Sequence, residues 1–154
     1  MENGVFPPRE YLFPNRHLSR TPIDVHWLPP NVRGIYREMH LALRSCLRTL
    51  TAIGARATIE AVCTQQGASN RTLFEKVEDL RRANLLTEQQ SQALHAHRLL
   101  GNEAAHELAE PSDEELSAAI DVLDSILTSI YIMPKRKALM ERRAKLRKNS
   151  NSEN

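Results

Sequence analysis

A chain of 154 residues is long enough for one domain with a real core and too short for two comfortable ones. Leu, Ala, Arg, Glu and Gln dominate its middle, Gly is scarce there, and alternating Val, Ile and Thr runs are absent, which excludes a sheet protein and predicts an all-α fold. The formal net charge of +2 hides an asymmetry, because residues 135–154 hold eight Lys or Arg against two Glu, so a mildly acidic body carries a basic tail.

The two cysteines, Cys46 and Cys63, fall in expected helices without metal-ligand spacing, which fits a reducing, cytosolic setting. No apolar run approaches the length of a membrane span, and the N-terminus lacks the charged-then-apolar plan of a signal peptide. The reading is therefore a cytoplasmic protein with no membrane partner.

Taken in order, residues 1–30 contain six of the eight prolines and four of the seven aromatics, Phe6, Tyr11, Phe13 and Trp27. Proline at that density denies a continuous helix, and the aromatics are costly to leave exposed together, so an extended Pro-rich N-terminal arm laid along the bundle or a partner subunit is expected. Residues 31–134 form the helical bundle domain. Pro29-Pro30-Asn31 opens the first helix with Asn31 as N-cap, and Val32, Ile35, Tyr36, Met39, Leu43, Cys46 and Leu47 make its apolar face. A second helix covers about Leu50 to Gln66 and stops at Gly67. Periodicity alone leaves open whether the chain breaks near Thr49 or runs on as one helix.

Ser69-Asn70 opens a third helical unit with Leu73, Phe74, Val77 and Leu80, ending near Asn84. Thr87-Glu88-Gln89-Gln90 is a capping-box pattern that launches the fourth helix, and Ser112-Asp113-Glu114-Glu115 repeats that logic for the fifth. Leu116, Ala119, Ile120, Leu123, Ile126, Leu127 and Ile130 give the fifth helix its apolar face, and Pro134 closes or kinks it. The expected architecture is an antiparallel bundle of about five helices. Residues 135–154 form a basic tail, helical in part and disordered from Asn149.

The stretch from Leu94 to Glu107 reads as a helix that carries two poor helix formers side by side, Gly101 and Asn102. At 100° per residue, His95, Arg98, Asn102 and His106 share a stripe bordering the apolar arc of Leu94, Leu100, Gly101, Ala104 and Ala105. On the second helix Arg56 and Glu60 lie one turn apart at the edge of the core, where a charge needs a partner. A cross-helix network of Glu60 with Arg98 or His106 is expected, either as a polar clasp that fixes helix register or as a positioning device for chemistry.

Other chemistry finds little support. His95 and His97 lie about 200° apart on a helix and cannot share a metal, and His95 with His106 lacks a third ligand, so no metal is expected. There is no Gly-rich phosphate loop, Ser-His-Asp order or paired-carboxylate signature, and no cofactor is expected. In the tail, Lys135, Arg136, Lys137, Arg142, Arg143, Lys145, Arg147 and Lys148 are candidate phosphate contacts, without an aromatic platform for stacking bases.

The series Leu28-Pro29-Pro30, Val32, Tyr36-Arg37-Glu38, then Arg56-Ala57-Thr58-Ile59-Glu60, then Arg98-Leu99-Leu100-Gly101-Asn102-Glu103-Ala104-Ala105-His106 resembles the domain of unknown function numbered 4145. That family is found in bacteria alone or attached to restriction and defence proteins, and is grouped with the HEPN-type helical domains. The resemblance implies a HEPN-like fold, a homodimer, a possible protein partner in a defence system, and RNA as a possible substrate or ligand. In active members an Arg and a His act together at the dimer interface, Arg on phosphate charge and His in proton transfer. Carried onto this chain, the catalytic set is Arg98, Asn102 and His106, with Glu60 and Arg56 positioning them. The residue before Asn102 is Gly101, where the active pattern has Arg. Arg98 and His106 are eight steps apart, about 12 Å along a straight helix. The departure favours a non-catalytic dimerisation or interaction module, with a metal-independent RNA-cleaving or RNA-binding effector as the alternative.

Overall fold

The computed structural model describes residues 20–96 and 110–152, with side chains as far as Lys148. Among the described residues all regular structure is helical. A short 3-10 turn, Val25–Trp27, leads into α1 (Pro30–Arg44), α2 (Arg48–Gln65) and α3 (Leu73–Arg82). The helical residues 88–96 form α4. They are followed by α5 (Asp113–Leu127), a wide π turn (Thr128–Ile132) and α6 (Met133–Ser152).

Helix boundaries follow local chemistry. Pro30 takes the first position of α1, where its missing N–H costs nothing, so the cap is Pro29 rather than Asn31. The chain then reverses at Ser45–Leu47 with Cys46 at φ 54°, and Leu47 N–H donates to Ala42 O at 2.9 Å. That reversal decides for two helices over one. α2 ends before Gly67, whose φ of 84° suits glycine. The expected capping boxes form: Gln90 N–H donates to Thr87 Oγ1 at 3.1 Å, and Glu115 N–H to Ser112 Oγ at 3.1 Å. A third box, Thr72 with Glu75, starts α3 three residues later than Ser69.

α1 packs along α2, and α2 meets α3 and α5. Val32, Tyr36, Met39 and Leu43 from α1 meet Ile59 and Val62 from α2, Val77 and Leu80 from α3, Leu94 from α4, and Ile120, Leu123 and Leu127 from α5. Each large aliphatic side chain so buried contributes about 1.5–3 kcal/mol. The segment entering α1 is tied in as well. Leu28 is buried, Ile23 and Val25 pack on the core, and Arg20 donates to Ser117 O at 2.9 Å and pairs with Asp121 on α5. Residues 1–19 of the expected arm lie outside the described residues.

The Tyr36 hydroxyl joins three segments, donating to Asp124 Oδ1 at 2.7 Å and accepting the Ile23 N–H at 3.3 Å. Burial, with the Asp124 carboxylate beside it, pushes the phenol well above its ordinary value, so it stays a donor at all physiological pH.

Pro134 does not end the helix. The backbone is continuously helical from Asp113 to Lys148, and the π turn falls just before the proline. A proline ring clashes with the carbonyl four residues back and offers it no N–H. One widened turn relieves both problems. It also brings Ile132 onto the buried side beside Tyr131, whose hydroxyl accepts from Gln66 Nε2 at 3.2 Å. By length and composition this helix contains a stretch apolar enough to cross a bilayer, but Leu116, Ile120, Leu123, Ile126 and Leu127 spend that apolarity on the core. α6 then leaves the bundle: every described residue from Met133 to Lys148 is exposed, and helix runs to Ser152 instead of ending at Lys148.

Candidate functional site

On α3, Phe74, Glu78 and Arg81 recur at helical spacing and fall on one stripe beside the buried line of Leu73, Val77 and Leu80. On α4, Ser91 and His95 lie one turn apart and face that stripe. Ser91 Oγ donates to Glu78 Oε1 at 2.8 Å, His95 Nε2 meets the same oxygen at 3.1 Å, and Arg81 Nε donates to Glu78 Oε2 at 2.8 Å. The Phe74 ring stacks on the imidazole, with centroids 4.2 Å apart and planes inclined by 22°. Among the described residues this polar cluster is where the predicted stripe begins, at His95.

Three donors on one carboxylate, His95 first and then Arg81 and Ser91, hold Glu78 well below the usual carboxylate range, at about 2. The carboxylate is charged at any pH the protein meets.

The cluster contains serine, histidine and glutamate, yet its wiring is not that of a nucleophile relay. In a relay the carboxylate holds one ring nitrogen and the other takes the serine proton. Here Glu78 and Ser91 both converge on Nε2, with Ser91 Oγ 3.4 Å from it, and the hydroxyl hydrogen is committed to Glu78. Ser91 is only 1% exposed, and His95 Nδ1 is buried with no partner among the described residues. No attacking atom reaches solvent. The arrangement clasps α3 to α4, and α4 is the helix that leads toward Arg98.

Replacing Ser91 by alanine is expected to cost about 1.5–3 kcal/mol, the range for a hydrogen bond to a charged acceptor, measured by urea unfolding with unchanged far-UV circular dichroism. No loss would mean that the clasp contributes nothing to stability.

Arg56 and Glu60 of α2 both keep part of their surface exposed. Glu60 is 48% exposed in its side chain and accepts from Lys76 Nζ of α3 at 3.0 Å. The buried face of α2 is Thr51, Ala52, Ala55, Thr58, Ile59, Val62 and Cys63, leaving Glu60 one step outside it and Arg56 half-buried. Arg98, Asn102 and His106, with Gly101 between them, lie outside the described residues. The basic residues Lys135 through Lys148 all stand on the exposed α6. Buried Cys63 has its thiol pushed up to about 12 by desolvation, which makes it an inert core residue.

Sequence reasoning missed Glu78, Arg81 and Ser91. The Glu78–Arg81 and Ser91–His95 spacings were readable as helical neighbours. That the two pairs face each other depends on how α4 returns across α3.

The family model described as a domain of unknown function (DUF4145) matches residues 37–149, which covers α1 from its second turn through nearly all of α6. No curated protein and no solved structure matches the chain.

Proposed function

Because the chain belongs to the DUF4145 family, whose activity is undefined, its function has to be drawn from its own surface, and we propose that it is a non-catalytic helical interaction module that pairs with a second copy of itself. One observation carries the reading. Leu41, Leu47 and Leu50 are 62%, 48% and 55% exposed, and all three stand at the corner where α1 turns into α2. Single exposed leucines are ordinary, whereas several large apolar side chains at one corner favour a protein contact. A symmetric dimer buries such a corner against itself. The wiring of the Glu78 cluster supports the non-catalytic half, since its polar groups are spent on holding α3 to α4.

Sedimentation of the full chain at micromolar concentration tests the pairing. The wild type is expected as a dimer and Leu41→Asp/Leu50→Asp as a folded monomer. A monomeric wild type, or a double variant that still pairs, overturns it. Incubation with mixed RNA tests the rest: no cleavage is expected, and cleavage abolished by both Arg98→Ala and His106→Ala would establish a ribonuclease instead.

A further inference from the structure

We propose that α6 is a nucleic-acid-binding helix that lies in the major groove of duplex DNA and contacts the phosphates of both strands. The inference uses none of the residues on which the module reading stands.

The starting point is where the charge lies. α6 from Met133 to Lys148 carries eight Lys or Arg and one acidic residue, Glu141, which pairs with Lys137 at 3.9 Å. At 100° per residue, Arg136, Arg143 and Arg147 make one stripe, Lys135 and Arg142 a second, and Lys137 a third on the far side. Cations therefore look out in every direction. A helix polar all round is not held by burial, and like charges at i, i+4, as in Arg143 and Arg147, destabilise it. What sustains it at its N-terminal end is continuity with α5, whose other residues are locked into the core.

Three kinds of partner are set apart by this distribution. A membrane surface requires an apolar face opposite the cations, and α6 has none, because Leu139 and Met140 point about 100° apart between basic residues. A second copy of α6 would rely on Leu139 and Leu146, one heptad step, while placing Arg142 and Arg143 against their own counterparts. Single-stranded RNA is gripped by stacking, and α6 contains no aromatic residue.

A duplex with phosphates on both sides of a groove is the remaining match. The B-form major groove is about 12 Å wide and admits an α-helix, which is about 10–12 Å across with side chains. The A-form major groove of duplex RNA is too narrow and deep for it. Over its described side chains α6 is about 24 Å long at 1.5 Å per residue, enough to cross the groove and reach both backbones. The cations supply phosphate contacts and no dedicated base-reading set, so binding is expected to be independent of sequence.

Fluorescence anisotropy of a labelled 20-base-pair DNA duplex with the full chain tests the proposal. Affinity is expected to fall about 1,000-fold between 50 and 200 mM salt, as for six or so neutralised phosphates. The variant Arg142→Gln/Arg143→Gln/Lys145→Gln/Arg147→Gln keeps good helix formers and should bind at least 100-fold more weakly at 50 mM salt. Its logarithmic salt slope should be shallower by nearly four. Arg33→Gln/Arg37→Gln on α1, which removes charge from another surface, should leave the slope unchanged. Equal or tighter binding of duplex or single-stranded RNA overturns the groove assignment. Unaltered DNA binding by the α6 variant, with unchanged circular dichroism, overturns the role of the helix, as does α6-dependent self-association without DNA.

Discussion

Substituting Gly54 by leucine is expected to lower stability by about 3 kcal/mol, through overpacking where α1 and α2 cross. A Cβ at this position would stand 3.0 Å from Met39 Cβ and 3.2 Å from Met39 Cα. The second of these is backbone, so no rotamer change removes the clash. Around Gly54 the buried face of α2 is built from small residues, Thr51, Ala52, Ala55 and Thr58. The two threonine hydroxyls turn back to their own helix, Thr51 to Leu47 O at 2.9 Å and Thr58 to Gly54 O at 2.8 Å, and so are buried without an unpaired donor. Small residues let the helices approach, and leucine would push them apart. Gly34 on α1 provides the opposite case, with nothing within 4 Å of an added Cβ. Gly34→Ala is expected to gain up to about 1 kcal/mol from helix propensity alone. Urea unfolding of both variants, with m-values compared, checks the pair of signs. A Gly54→Leu protein as stable as the wild type would mean that α1 and α2 do not meet here.

The second large effect is an acid weakness at His40. This residue is 4% exposed on α1, edge-on to Tyr36 with ring centroids 4.5 Å apart, and neither ring nitrogen finds a partner among the described residues. Burial, reinforced by Arg44 and Arg20, lowers its pKa to about 4. An unfolded histidine titrates near 6.5, so between about 6.5 and 4 the unfolded chain binds a proton that the folded one refuses. Stability is therefore whole above pH 6.5 and declines as the pH falls toward 4, by roughly 3 kcal/mol over the window. His40→Leu removes both the titration and two costly buried nitrogens. It is expected to flatten stability across that window and to raise it at pH 7 by about 1 kcal/mol. Thermal unfolding from pH 7.5 to 4.5 reads both effects, and a variant with the wild-type pH slope would remove His40 as the cause.

The local patterns carried a good deal of this fold. Thr87 with Gln90 and Ser112 with Glu115 were readable as helix starts because a capping box depends on two residues three apart. Gly67 was readable as a stop because only the left-handed conformation is at issue. The apolar face of α5 was readable from its period through Ile130, which packs on the core, while the burial of Ile132 needs the register shift of the π turn. The break at Cys46 was not readable, since a non-glycine residue at positive φ has no sequence signal and is held there by the packing of α1 on α2.

For the candidate site the division is sharper. One residue and its helical neighbours place His95 beside Ser91, and composition alone makes α6 basic, because both are properties of a single helix. Which carboxylate meets His95, and which amine meets Glu60, depend on how separate helices return across one another. A wheel drawn for one helix reports direction and not distance, so it put Glu60 at the edge of the core but could not pick out Lys76 as a neighbour. Local patterns were enough for the all-helical class, the starts of α4 and α5, the stop at Gly67 and the asymmetry of charge. That Glu78 takes His95, that Glu60 takes Lys76 and that the basic helix is exposed along its described length came from the three-dimensional packing, because long-range pairing is settled by packing rather than by local spacing.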